Sequence, residues 1–172
     1  MLEVEMVVDS VRLNLVNPSR TIWLRQKDRR RYLPITIGGH EADAIAIKLV
    51  NLKDDAPMRP LTHDLLLQTI EALGWQVEKV LVRDLSDQVF YADVVLHREE
   101  EEKVIDARPS DAIALAVRAA VPIYCAQSVL DRAGLEPEDD PAETPEEPVS
   151  EESLKPFAEF IGQLDLDDLG DD

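Results

Sequence analysis

The period of the hydrophobic residues changes along this chain, and each change predicts a different element. Residues 2–16 alternate loosely and are rich in valine and leucine, as expected for a β-strand. Residues 75–83 and 89–97 flank a polar turn and predict a β-hairpin. Shorter strands are predicted at 21–24, 32–37, 103–108 and 123–125.

Helical spacing appears where this alternation stops. After Gly38–Gly39, small and aliphatic residues recur on one face of a predicted helix. A second helix is expected between Thr62, its predicted N-cap, and Gly74, which suits a helix end. The stripe that this helix is expected to bury consists of Leu66, Ile70 and Leu73.

The segment 111–120 is apolar on nearly every side apart from Arg118, which predicts a helix at the centre of the fold. A last short helix is expected at 128–133. This order of elements predicts an α+β fold: one compact domain over residues 1–134, with a mixed or antiparallel sheet and helices packed on it.

The negative charge of the chain is concentrated towards its C-terminal end. The formal net charge is −18, but residues 135–172 hold 15 acidic residues and one lysine, a net of −14. Residues 1–134 therefore carry 21 acidic and 17 basic side chains, a net of −4. A body so close to neutral argues against a whole-surface acidic adaptation and offers no general attraction to a polyanion.

The acidic C-terminal end divides into two parts. Residues 135–149 are rich in proline and carboxylates, too polar to offset the entropy cost of ordering, and predict a disordered linker. Within 150–172, apolar residues from Leu154 to Leu164 follow helical spacing, which predicts a short amphipathic helix. Such a helix is marginal alone in water, so we expect it to dock on the body or on a partner.

Cysteine usage and apolar run length indicate the compartment. The single cysteine, Cys125, has no partner for an internal disulfide and is expected to be a buried thiol. No run approaches the ~20 apolar residues of a membrane helix, and the N-terminus does not resemble a signal peptide. We therefore expect a cytoplasmic protein with no membrane partner.

Residues 59–65 place polar side chains at the start of the second predicted helix. If Thr62 caps this helix, His63 and Asp64 lie in its first turn, where free N–H groups and the helix dipole favour a phosphate. His63 suits acid–base chemistry near neutral pH, and Asp64 suits a metal or the orientation of the histidine. A purely structural interpretation stays open, because threonine and aspartate are also common at helix starts.

A second polar segment, 106–112, leads into the central helix. Arg108 precedes a proline and is expected to be extended, so strand alternation puts Asp106 and Arg108 on one face. Ser110 is the expected helix cap, with Asp111 in the first turn. Charges at the entrance of an apolar helix must be paired or solvated, so this segment is either a functional site or a structural Asp–Arg pair.

Two further candidates are a glycine turn and a basic turn. Gly38–Gly39 leads into a helix start with His40 and Glu41, which would join His63 only if the two helix starts converge. A basic cluster near residue 30 suits a nucleic-acid backbone, although a solvated turn is the more frequent explanation. The cluster consists of Arg25, Lys27, Arg29, Arg30 and Arg31.

Taken in this order, the segments resemble the bifunctional nuclease family, which occurs in bacteria and in plants. The resemblance covers about residues 3–134 and rests on five short motifs with Pro122-Ile123. The motifs are Tyr32-Leu33-Pro34-Ile35, Ile37-Gly38 with Glu41-Ala42, Arg59-Pro60 with Thr62-His63-Asp64-Leu65, Phe90-Tyr91-Ala92, and Asp106-Ala107-Arg108-Pro109-Ser110-Asp111-Ala112. It implies a mixed α+β fold that self-associates as a homo-oligomer and, for some members, cleavage of DNA and RNA.

Residues and resemblance together predict a nuclease that hydrolyses phosphodiester bonds of DNA, RNA or both. His63 would be the acid or base, and Arg108 would bind phosphate. The expected catalytic residues are His63, Asp64, Asp106, Arg108 and Asp111. The expected substrate-binding residues are Arg59, Thr62, Ser110, Arg29, Arg30 and Arg31. A divalent ion, Mg²⁺ or Mn²⁺, would be held by Glu41, Asp64 and Asp106, with Asp111; no organic cofactor is expected.

The alternative is a non-catalytic regulatory or protein-interaction domain. Its motifs would be structural, and the C-terminal helix would bind a partner. The acidic tail would then mask the basic cluster as an intramolecular polyanion. No residue spacing in the chain is one that only a nuclease needs, so both interpretations stay open.

Overall fold

Seven β-strands form one mixed sheet in the computed structural model, which describes residues 2–13, 19–49 and 59–137. The strands are β1 (Glu3–Leu13), β2 (Arg20–Gln26), β3 (Tyr32–Ile37), β4 (Gln76–Ser86), β5 (Val89–Arg98), β6 (Glu101–Ala107) and β7 (Ile123–Ala126). Their order across the sheet is β3-β2-β1-β7-β4-β5-β6. Neighbouring strands are antiparallel except β4 and β7, which are parallel, so the predicted α+β fold with a mixed sheet is confirmed.

The predicted hairpin is β4 and β5, joined at a tight turn. Asp87 and Gln88 form the turn with positive φ angles of 49° and 65°. Two central residues in this left-handed region match the right-handed twist of the strands that they join. Because neither residue is glycine, each carries a side chain in a conformation that L-residues adopt at some cost.

Four helices accompany the sheet in the described part of the chain: α1 (Gly39–Leu49), α2 (Thr62–Ala72), α3 (Pro109–Ala119) and α4 (Gln127–Ala133). Most of α3 is buried, as its nearly uniform apolar composition predicts. It packs against α1, α2, β4 and β5. The predicted central helix is therefore confirmed, and both α1 and α2 pack on it.

The start of α2 differs from the prediction. Leu61, not Thr62, is the N-cap residue, with extended backbone angles of φ −79° and ψ 175°. Leu61 has no polar side chain to cap the helix, and instead its backbone N–H donates to Asp64 Oδ2 at 2.9 Å. The carboxylate three residues into the helix thus holds the turn, which leaves Thr62 exposed as the first helical residue.

The start of α3 is two residues earlier than predicted. Arg108 is its N-cap, and Pro109 is the first helical residue, so Ser110 does not cap the helix. Proline suits this position because its missing N–H would be unpaired there in any case. The expectation that Arg108 is extended is confirmed by its φ of −69° and ψ of 143°.

The apolar stripe predicted for α2 is confirmed at Ile70 and wrong at Leu66 and Leu73. Leu66 is 44% and Leu73 67% exposed, while Leu67 and Ile70 are half-buried against the core. The helix contacts α3, and its more buried face carries His63, Leu67 and Ile70 at helical spacing. Gly74 ends α2 as predicted, with a positive φ of 77°.

The core also contains the predicted buried thiol. Cys125 in β7 is fully buried, and burial raises its pKa to about 12. No helix in the described ranges is long and apolar enough to cross a membrane.

The described residues up to Glu136 belong to one compact unit. The predicted linker beyond residue 137 and the predicted helix in 150–172 lie outside the described residues, and the domain boundaries stay predictions.

Candidate functional site

The starts of α1 and α2 converge beside the start of α3. Between them lies a surface depression of about 590 Å³. The polar residues that line it are His40, Glu41, Asp43, Thr62, His63, Arg108 and Asp111. The two helix starts therefore lie together, as His40 and Glu41 require if they share a site with His63, because α1 and α2 both pack on α3.

Arg108 lies at the centre of the polar contacts in this depression. Its Nη2 donates to Glu41 Oε1 at 2.9 Å, and its Nε donates to Asp111 Oδ2 at 2.7 Å. These hydrogen bonds, with that to Asp111 the stronger, raise the pKa of Arg108. The side chain is still 67% exposed. A guanidinium has five N–H donors, so donors remain for a ligand beyond the two that these carboxylates take.

Asp111 joins Arg108 to His63. Its Oδ1 lies 3.2 Å from His63 Nε2, and its Oδ2 accepts the bond from Arg108. Burial raises the pKa of Asp111, but the hydrogen bonds from Arg108 and His63 outweigh it, so the pKa lies below its usual range. An ionised Asp111 can only accept a hydrogen bond, so the contact with His63 requires a proton on Nε2.

Asp64 lies in the same helical turn as His63 but has a different partner. Its Oδ1 accepts a hydrogen bond from Nε of Arg118 at 2.8 Å. Burial raises the pKa of Asp64, but the Leu61 N–H and Arg118 outweigh it, so the pKa is lowered overall. Asp64 does not line the depression. The structure thus places it as a contact that fixes the start of α2.

Arg118 was not among the predicted site residues. Its side chain is 2% exposed, and its Nη1 also donates to the carbonyl oxygen of Ala114 at 2.9 Å. A single charge inside an otherwise apolar helix was the available signal, because a buried guanidinium requires a partner. Sequence alone does not identify that partner, which is 54 residues away on another helix.

Asp106 lies in a separate cluster, on β6. Its Oδ1 accepts from Arg83 Nη2 at 2.5 Å, and Arg83 Nε also donates to Asp93 at 2.8 Å. Asp106 is 73% exposed and does not line the depression. The predicted common face for Asp106 and Arg108 fails because Arg108 has left the strand to become the cap of α3.

The predicted substrate-binding residues are distributed over several places. Thr62 lines the depression and Ser110 is buried, whereas Arg59 is exposed just before α2. Arg29 and Arg30 are exposed in the β2–β3 turn, and Arg30 has an interaction partner.

Three of the five side chains in the basic cluster, those of Arg25, Lys27 and Arg31, are paired with carboxylates. Arg31 donates to the Leu130 carbonyl at 3.0 Å and to Asp131 at 3.2 Å, which attaches the turn to α4. Lys27 donates to Glu5 at 2.7 Å. These contacts reduce the positive field that the cluster presents to a polyanion.

The carboxylates predicted to bind a metal are not brought together. Glu41 pairs with Arg108, Asp64 with Arg118 and Asp106 with Arg83. Within 2–13, 19–49 and 59–137, no three His, Cys, Asp or Glu side chains form a group that could hold a metal ion. These residues therefore do not form a ready three-ligand metal site.

Comparison with known proteins gives a family match over most of this unit. The model of the bifunctional nuclease domain matches residues 22–138, more than half of the chain. The match includes α1, α2, α3 and the depression between them.

Two kinds of relative are similar to this chain. An uncharacterized protein of Mycobacterium tuberculosis is 38% identical over 165 residues, which is 96% of this chain and 97% of that protein. Bifunctional nuclease 1 of Oryza sativa subsp. japonica is 29% identical over 129 residues, which is 73% of this chain and 38% of the rice protein. The bacterial relative is therefore similar along its whole length, the rice protein over one segment.

Proposed function

This chain belongs to the bifunctional nuclease domain family, and from that premise we propose that it hydrolyses phosphodiester bonds of DNA, RNA or both. The proposed site is the depression that contains Arg108 and His63. The observation that carries the proposal is Asp111, whose two oxygens contact the arginine and the histidine at 2.7 and 3.2 Å. One carboxylate thus couples a phosphate-binding group to a proton-transfer group.

Arg108 would bind the phosphate. An exposed guanidinium with unused N–H donors suits two oxygens of a phosphodiester, and it stabilises the charge that develops as the nucleophile attacks phosphorus. Because Glu41 and Asp111 hold the guanidinium from two sides, its orientation exists before the substrate binds. Such preorganisation avoids an entropy cost during the reaction.

His63 would transfer the proton. In hydrolysis, an oxygen nucleophile bonds to phosphorus, the bond to the leaving oxygen breaks, and one proton moves from the nucleophile to the leaving group. His63 Nδ1 is the proposed acceptor or donor in that exchange, since Nε2 is bonded to Asp111. The ionised Asp111 stabilises the imidazolium that forms, as a carboxylate does in other His–Asp pairs.

The charge of the site bears on the predicted metal. Glu41, Asp43 and Asp111 line the depression together with one guanidinium, and Asp43 is paired with Arg20. This balance does not attract a phosphate strongly. Mg²⁺ needs only one or two protein carboxylates when substrate oxygens complete its coordination. Mg²⁺ or Mn²⁺ bound together with the substrate therefore stays a proposal.

The proposal is tested by cleavage of single-stranded DNA, duplex DNA and RNA with Mg²⁺, Mn²⁺ or EDTA. We expect His63→Ala and Arg108→Ala each to lower kcat about 100-fold or more, the usual effect of losing a proton-transfer group or an oxyanion donor. Arg12→Ala is the matched control, because Arg12 is a similarly exposed arginine, 59% against 67%, on β1. Equal activity in Arg108→Ala and Arg12→Ala would exclude Arg108 as the phosphate-binding residue.

Asp106→Ala decides a further point. Asp106 lies outside the depression, where it pairs with Arg83, so a full loss of cleavage in Asp106→Ala would place the site nearer β6.

If no substrate is cleaved under any condition, the non-catalytic interaction domain becomes the better interpretation. Self-association and a cytoplasmic location stay predictions, the first of them checked by analytical ultracentrifugation.

A further inference from the structure

A second depression adjoins the first at Arg108. It measures about 310 Å³, and the residues that matter for its chemistry are Thr36, Gln88, Phe90, Arg108 and Ser110. Of the residues in 2–13, 19–49 and 59–137, Arg108 alone lines both depressions. A ligand whose phosphate is held by Arg108 therefore has a neighbouring space for the group attached to that phosphate.

We propose that this second depression binds one unpaired nucleobase beside the phosphodiester at Arg108, so that the substrate is single-stranded. The inference rests on the proposed function for the position of the phosphate. It adds which part of the nucleic acid contributes to the affinity. The volume of the second depression is at the lower end of the range for small-molecule sites, which suits one base rather than a base pair.

The lining combines the two properties that a nucleobase requires. Phe90 is half-buried and Val89 is 51% exposed, which gives apolar surface for a planar ring. The Gln88 amide supplies one acceptor and two donors, and the Ser110 hydroxyl supplies one more of each kind. Proteins bind unpaired bases in this way, with the ring stacked on apolar or aromatic groups and its edge hydrogen-bonded to polar ones.

The charge distribution explains why a base contact is needed. Residues 1–134 carry a net charge of −4, and three of the five side chains in the basic cluster, those of Arg25, Lys27 and Arg31, are paired with carboxylates. Phosphate contacts dominate nucleic-acid affinity only where many cations line the path, and among the residues that the structure describes Arg108 is the one lysine or arginine that lines either depression. Stacking of a base must therefore supply a large share of the binding.

A duplex does not offer this contact without a cost. Its bases are stacked and paired, so a base enters a side depression only after it leaves the helix. A base in a single strand is already free to turn outward. The same protein should therefore bind a single strand more tightly than a duplex of equal length.

Gln88 allows an unusually clean test. Its φ of 65° lies in the left-handed region, so Gln88→Gly removes the side chain and also relieves backbone strain. Asp87, its neighbour in the same turn, has a φ of 49° and does not line the depression. Asp87→Gly is thus a control with the same backbone effect and no loss of lining.

The experiment measures binding by fluorescence anisotropy, in a His63→Ala background that retains Arg108. The probes are a labelled single-stranded DNA, an abasic oligomer of equal length and charge, and the corresponding duplex. We expect the single strand to bind at least tenfold more tightly than the other two. Gln88→Gly should remove most of this preference, and Asp87→Gly should keep it. Phe90→Leu should weaken binding of the base-containing single strand and leave binding of the other two probes unchanged.

The outcomes separate this inference from the proposed function. Equal affinity for the single strand and the abasic oligomer would overturn the base site, even if the wild-type protein cleaves. Base-dependent binding by a protein that never cleaves would support the base site and reject the nuclease. Failure to bind any of the three probes would overturn the inference, and unchanged preference in Gln88→Gly would remove Gln88 from it.

Discussion

Nε of Arg118 lies 2.8 Å from Oδ1 of Asp64, and this ion pair joins the middle of the fold to the first turn of α2. His63 is the residue before Asp64. The buried helix α3 thus sets the position of the histidine through a neighbour, while Asp111 at the start of the same helix contacts the histidine itself. Both contacts come from α3, so its placement decides the geometry of the site.

Loss of Arg118 should destabilise the protein and displace His63. We expect Arg118→Met to lower the free energy of unfolding by about 3 kcal/mol, the usual effect of removing one partner of a buried ion pair. Urea titration measures this, and a double-mutant cycle with Asp64→Asn isolates the pair. If the change in unfolding free energy of the double variant equals the sum of the changes in the two single variants, Arg118 and Asp64 do not interact energetically.

Glycine at position 38 leaves room for the carboxylate of Glu41. A Cβ there would collide with Glu41 Oε2, whereas a Cβ at Gly39 would meet nothing closer than 3.8 Å. We expect Gly38→Ala to lower cleavage several-fold because Glu41 must move away from Arg108. Its stability should change by less than ~1 kcal/mol, since a flexible side chain can give way. Gly39→Ala is the matched control, and cleavage as low as in Gly38→Ala would contradict the explanation.

Stability should fall in acid partly through Asp64 and Asp111. Burial raises the pKa of each, but their hydrogen bonds outweigh it, so each folded-state pKa lies below the unfolded value of about 3.9. The unfolded chain then binds more protons, and the stabilisation is complete above that value and lost as pH falls through the lowered pKa. Urea unfolding at several pH values between 7 and 2 measures how the free energy of unfolding depends on pH. Asp111→Asn should make this dependence less steep, and an unchanged dependence would show that Asp111 does not contribute.

Asp93 should act in the opposite sense. Burial raises its pKa, with Asp106 adding to the shift and Arg83 opposing it. The folded protein therefore binds the proton more readily, and the contribution of Asp93 to stability decreases as pH rises through the window above the unfolded value. Relative to wild type, the free energy of unfolding of Asp93→Asn should therefore be higher at pH 7 than at pH 3. The reverse order in urea titrations would mean that Arg83 dominates over burial.

Cys125 should be unreactive in the folded protein. It is fully buried, and a pKa of about 12 leaves almost no thiolate at pH 8. We expect a colorimetric disulfide reagent to detect no thiol in the native protein and one thiol in urea. Rapid reaction without urea would show that β7 opens easily.

Local patterns in the sequence were sufficient for most elements. The alternation of 89–97 predicted β5, and the apolar segment 111–120 predicted α3. Both predictions were possible because the positions that an element buries carry apolar residues, at every second position of a strand and on nearly all sides of a central helix. The cap positions were wrong at Thr62 and Ser110. The carboxylate of Asp64 holds the start of α2, and Pro109 occupies the first position of α3, so neither start depends on a polar cap residue.

The site shows where sequence stops being informative. Residues 62–64 and 108–111 were recognised from polar side chains at helix starts, which needs only local chemistry. That Glu41 and Arg108 meet, while Asp106 contacts Arg83 instead, depends on contacts between residues 67 and 23 positions apart. The sequence by itself determined the elements and the chemical groups, because period and polarity are local properties. Only the tertiary structure decided which groups share a site, because pairing partners are selected by the packing of α1, α2 and β6 around α3.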